Sequence, residues 1–78
     1  MRRKELRLVV TFHTTADAMA MERCCRDAGI AGRLIPVPRE LSAGCGLAWS
    51  SAPEDRDAVR AAMDRAGIEE EAMHDCMA

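Results

Sequence analysis

Short alternating apolar stretches, two helical segments each closed by an Ala-Gly-Ile turn, and the order in which these follow one another predict an α+β fold. The arrangement is βαββαβ, the ferredoxin-like unit: a four-stranded antiparallel sheet with two helices on one face. An internal echo supports two βαβ halves, since Arg26-Asp27-Ala28-Gly29-Ile30 returns as Asp64-Arg65-Ala66-Gly67-Ile68 with its first two residues exchanged. A chain of 78 residues has room for one such unit. We assign residues 6–73 to it, with 1–5 as a basic N-terminal extension and 74–78 as a C-terminal tail.

The first strand is expected over Leu6 to Phe12, where Leu8, Val10 and Phe12 fall on one face and Arg7, Val9 and Thr11 on the other. Thr14 followed by Asp17 forms a capping signal, and Thr15 to Ala28 contains no Gly, Pro or branched aliphatic residue, so a helix follows. Its inward face is Ala18, Met21, Cys25 and Ala28. Gly29 and Ile30 stop it in the manner of a Schellman ending. Arg33 to Val37 reads as a second strand that Pro36 confines to a sheet edge. Pro38 to Gly46 is a loop, and Gly46 to Ser50 a short third strand. Ser51, Pro53 and Glu54 open the second helix, with Val59, Ala62, Met63 and Ala66 inward. Ile68 to Met73 completes the pattern as a fourth strand at an edge, where its three glutamates discourage aggregation.

Composition narrows the possible functions. Eleven basic residues against 13 acidic ones give a net charge of -2, without the basic excess of a nucleic-acid binder. No apolar run reaches the ~20 residues of a membrane span, and the opening residues do not form a signal peptide, so a cytoplasmic location is expected. The core is thin: 14 residues are alanine, and Met19, Met21 and Met63 serve as filler. No phosphate loop, nucleophile elbow or dinucleotide fingerprint occurs.

Four cysteines remain to be explained. In the ferredoxin-like strand order 4-1-3-2, the end of the first strand meets the start of the third, so His13 and Cys45 become neighbours where the first helix begins. The helix amides, a protonated His13 and Arg39 of the same loop would each stabilise a thiolate at Cys45. Gly44 and Gly46 leave room for a partner's sulfur or a small anion to approach. The same pattern also fits a small apolar filler at a strand start. Cys24 and Cys25 point about 100° apart on a helix and cannot share one ion, so they read as core and near-core residues. His74-Asp75-Cys76 lacks the second ligand pair of a zinc site and reads as tail. No resident metal or cofactor is expected.

The segments Thr11-Phe12-His13-Thr14-Thr15, Gly32-Arg33-Leu34-Ile35-Pro36-Val37-Pro38-Arg39-Glu40 and Ser42 to Gly46 resemble the Se/S carrier protein-like family of small bacterial proteins. The resemblance runs from about Leu6 to Ile68. It implies a ferredoxin-like fold, a carrier cysteine at position 45 and Arg33, Arg39 and His13 as its neighbours. It assigns nothing to Cys24, Cys25 or Cys76.

On this basis Cys45 is expected to hold sulfur or selenium as a covalent persulfide or perselenide, taken from a donor protein and passed to an acceptor. The chain is then a carrier rather than a stand-alone enzyme. Two alternatives use the same residues: an interaction module that pairs through its open sheet face, with a second copy for instance, and a soft-metal chaperone built on Cys45 with His13.

Overall fold

The computed structural model describes residues 5–41 and 44–78. Strands β1 (Leu6–Thr11), β2 (Gly32–Pro36), β3 (Leu47–Ser51) and β4 (Ala72–Met77) form one antiparallel sheet in the order β2-β3-β1-β4. Helix α1 (Thr15–Asp27) joins β1 to β2, and a 3-10 turn at Pro53–Asp55 leads into α2 (Arg56–Ala66) between β3 and β4. This is the ferredoxin-like βαββαβ arrangement, with the strand order expected from the sequence.

Local chemistry accounts for the helix limits. The Thr14 hydroxyl accepts from the Asp17 amide at 3.2 Å, filling one of the unpaired donors at the start of α1. Both helices end alike. Gly29 and Gly67 adopt φ of 74° and 72°, a region costly for residues with a Cβ. The Ile30 amide then donates to Cys25 at 2.9 Å and the Ile68 amide to Met63 at 3.0 Å. The repeated Ala-Gly-Ile is thus one Schellman turn used twice. Ala28 and Ala66, expected inward, are exposed because each stands beside its glycine where the chain leaves the core.

The fourth strand lies further along the chain than expected. Ile68 is a buried anchor, Glu69 to Glu71 form the connection, and Ala72–Met77 pairs with the whole of β1, including Arg7 with Cys76 and Val9 with His74. The residues expected as a tail therefore belong to the sheet. Glu5, assigned to the N-terminal extension, exchanges backbone hydrogen bonds with Ala78 at 3.2 and 3.0 Å, while residues 1–4 lie outside the described residues. Polar side chains hide the strand in sequence, but they serve to fasten it. Arg56 donates to Asp75 at 2.8 Å, Arg60 pairs with Glu70, and both guanidiniums reach the Met73 sulfur at 3.8 Å.

The core lies between the helices and one face of the sheet. Leu8, Val10, Phe12 and Trp49 meet Ala18, Met21 and Cys25 of α1 and Val59 and Met63 of α2. Gly32 is required by this packing: a Cβ there would stand 2.4 Å from Trp49 Cζ2 and 2.6 Å from the Ser50 carbonyl oxygen. The other face differs from expectation. Val9, Thr11 and Ala48 point away from the helices, yet each is wholly buried. Arg7 lies over part of that face, its Nε 3.0 Å from Ser50 Oγ. The loop after β2 supplies more cover: Val37, Pro38, Arg39 and Glu40 line one hollow together with Met77 and Ala78 at the opposite edge of the sheet. The sheet face expected to be open is therefore partly roofed by its own loop.

Candidate functional site

Cys45 stands where β1, β3 and α1 converge. Its amide donates to the Phe12 carbonyl at 3.2 Å, extending the β1–β3 pairing one step past the strand ends. Because side chains alternate along the chain, Cys45 shares the helix-facing side with Leu47 and Trp49. Its thiol is directed toward the first turn of α1 and is only 3% exposed.

Two polar groups meet the sulfur. The Leu47 amide donates to Sγ at 3.4 Å, and the Thr15 hydroxyl lies 3.5 Å from it. Thr15 is the first residue of α1, so the thiol occupies the end of the helix where unpaired amides and the helix dipole favour negative charge. The expected neighbourhood of helix start and cysteine is thus present. Neither Thr15 nor the Leu47 amide was identified from sequence. Thr15 could have been, since it opens the helix two residues after His13.

The flanking glycines have different roles. A Cβ at Gly44 would lie 3.0 Å from the His13 carbonyl oxygen, so Gly44 permits the close approach of loop and strand end. A Cβ at Gly46 would meet nothing within 4 Å, which leaves open space beside the sulfur-bearing residue. Both glycines are exposed, as is Thr15. Cys45 is therefore buried although its two chain neighbours and Thr15, which adjoins its sulfur, are exposed. Ser42, the first residue of the family-like loop motif, lies outside the described residues.

The three basic neighbours are arranged otherwise than expected. The His13 backbone adjoins Gly44, but its imidazole is exposed and turns to Glu71, with Nδ1 3.5 Å from Oε2. Arg33 pairs across β2–β3 with Ser50. That places it toward the far end of the sheet from Cys45, on the face turned away from the helices. Arg39 lines the hollow that also contains Arg33 and Met77. The structure brings the two arginines to one hollow rather than to the thiol. Strand alternation explains Arg33, whose parity is opposite to that of Leu34. The loop's path across the sheet explains Arg39.

The other cysteines have distinct surroundings. Cys25 is fully buried, and its thiol meets the Met21 sulfur at 4.0 Å. Burial, reinforced by neighbouring Cys24, pushes it up from 9.0 to about 12. Cys24 donates to the Met21 carbonyl at 3.4 Å and is also raised, chiefly by burial. Cys76 lies on β4 beneath the loop, where burial first and then the carboxylates of Glu40 and Asp75 raise it. All four cysteines are free thiols.

The family model described as "Putative Se/S carrier protein-like" matches residues 7–75, nearly the whole chain. The chain belongs to this family. No curated protein and no solved structure matches it. Membership covers β1 to β4 and includes Cys45 with its loop. Among the described residues, no helix is long and apolar enough to cross a membrane.

Proposed function

We propose that the chain carries sulfur or selenium on Cys45 and hands it from a donor protein to an acceptor, acting in the cytoplasm. Family membership supports the class of function. The observation that carries the choice of residue is the pair of polar groups at its sulfur, the Leu47 amide that donates to it and the Thr15 hydroxyl that adjoins it at the start of α1.

The transfer balances without an external oxidant. The Cys45 thiolate attacks the outer sulfur of a donor persulfide, forming a Cys45 persulfide while the S–S bond to the donor breaks and the donor leaves as thiolate. An acceptor thiolate then attacks the outer sulfur on Cys45, which regains its thiolate. Selenium follows the same two displacements: the Cys45 thiolate attacks the terminal selenium of a donor perselenide, the donor leaves as thiolate, and Cys45 holds the perselenide until an acceptor takes it. Because Cys45 is 3% exposed, loading requires the groups around its sulfur, Thr15 among them, to part. A single sulfur atom needs only a small opening.

That burial also favours a second reading, in which Cys45 is core filler and the chain is an interaction module. A label chase separates the two. Protein treated with radiolabelled glutathione persulfide and then offered an acceptor thiol should release the label to it, with Cys45 as the labelled site. Failure of Cys45 to label while the unfolded chain labels readily would favour the module and end the carrier reading.

A further inference from the structure

The sheet face turned away from the helices carries a second concave region, distinct from the thiol. One hollow of about 460 Å³ is lined by Glu5, Arg7, Gly32, Arg33, Ile35 and Ser50 together with Ala78. A neighbouring one of about 380 Å³ shares Arg33, Ile35 and Ala78 and continues past Val37 to Arg39 and Met77. Their volumes fall within the range of ~300–1,000 Å³ usual for small-molecule sites.

Three arginines, Arg7, Arg33 and Arg39, line these hollows against two carboxylates, Glu5 and Glu40. Arg33 lies directly across from Ser50 in the β2–β3 pairing, and Arg7 reaches the same residue from β1, with Nε 3.0 Å from Ser50 Oγ and Nη2 3.4 Å from its carbonyl oxygen. Arg7, Arg33 and Ser50 thus line one hollow together. Glu5 offsets Arg7 at 3.4 Å, but among the described residues no carboxylate pairs with Arg33 or Arg39. Next to this charged end, Ile35, Val37, Pro38 and Met77 form an apolar continuation. Guanidinium pairs suit carboxylate and phosphate groups, which they can meet through two parallel hydrogen bonds.

We propose that this hollow binds a small organic anion, its charged group held by Arg7, Arg33 and Ser50 and its apolar body laid along Ile35 toward Val37 and Met77. The site is independent of the carrier chemistry, because it lies on the other face of the sheet from the Cys45 thiol. It gives the exposed Arg33 a task that the thiol's surroundings do not.

Phenyl phosphate, benzoate and inorganic phosphate serve as probes in amide-resolved NMR titrations of the full chain. Phenyl phosphate and benzoate should shift the amides of Arg33, Ile35 and Ser50 and saturate, with phenyl phosphate about tenfold tighter than inorganic phosphate. Arg33→Gln should weaken both organic probes about tenfold, and Arg33→Lys should recover part of the loss. Ile35→Ala should weaken the organic probes alone. Cys45→Ser should bind as the parent does, which separates failure here from failure of the carrier reading. Absence of saturable shifts at these amides, unchanged affinity in Arg33→Gln, or inorganic phosphate binding as tightly as phenyl phosphate would overturn the proposal.

Discussion

Cys25 and Cys45 are both buried in the same core, but their sulfurs meet different atoms. Cys25 is enclosed by apolar groups and the Met21 sulfur, and burial raises it to about 12. Cys45 accepts from the Leu47 amide and adjoins the Thr15 hydroxyl at a helix start. Exposure does not separate the two residues, at 0% and 3%. What separates them is what the sulfur touches, a backbone amide and a hydroxyl at Cys45 against a thioether at Cys25. A cysteine can therefore lie out of solvent and still be placed for chemistry, provided that its cover can open.

The largest expected contrast is in reactivity. A rise from 9.0 to about 12 leaves Cys25 with about a thousandth of the thiolate of an ordinary cysteine at the same pH. Site-resolved alkylation of the native chain should therefore modify Cys45 while Cys25 reacts about a thousandfold more slowly than in urea. If Cys25 reacts as quickly as in the unfolded chain, the contrast is lost. Next in size is stability. Cys25→Ser places a hydroxyl among apolar neighbours and should cost about 1–3 kcal/mol in urea unfolding, with sulfur loading at Cys45 retained. Equal stability would show that the site is not closed.

The pH dependence sharpens the same comparison. In the folded chain Cys25 keeps its proton up to about 12, whereas the unfolded thiol releases it near 9.0. Its contribution to stability is thus fully present below 9.0 and lost as pH rises toward about 12. Cys24 and Cys76 are raised too and act in the same direction. Cys25→Ala should flatten the alkaline decline without abolishing it, and an identical slope would contradict the assignment. The smallest effect concerns Thr15→Val, which removes one hydroxyl near Sγ at an exposed position. With one hydrogen bond worth about 0.5–1.5 kcal/mol, loading should slow about three- to tenfold, measured as the rate of persulfide formation. No change in rate would remove Thr15 from the account and leave the Leu47 amide alone.

Most of this frame was legible in the sequence because it rests on local rules. Alternation in Leu6 to Phe12, the Thr14 cap and the two Ala-Gly-Ile turns each specify backbone geometry within a few residues. They suffice to bring Cys45 to the start of α1. The fourth strand was displaced because Ala72–Met77 mixes charged and apolar residues, and its support comes from Arg56 and Arg60 on another element. The same limit applies to the site. Parity along β3 already turns Cys45 toward the core with Leu47 and Trp49, and the flanking glycines hid that signal by suggesting exposure. Arg39 could not be placed from its nearness in sequence, because the loop runs across the sheet toward Met77.

Among the four free thiols, Cys45 alone should take up a transferable chalcogen. Intact-mass measurement after equimolar treatment with glutathione persulfide tests it most directly, with Cys45→Ser and Cys25→Ser treated in parallel. The expected result is one extra sulfur on the parent and on Cys25→Ser, and none on folded Cys45→Ser. An extra sulfur on folded Cys45→Ser equal to that on the parent, or a parent that takes up none, would contradict it.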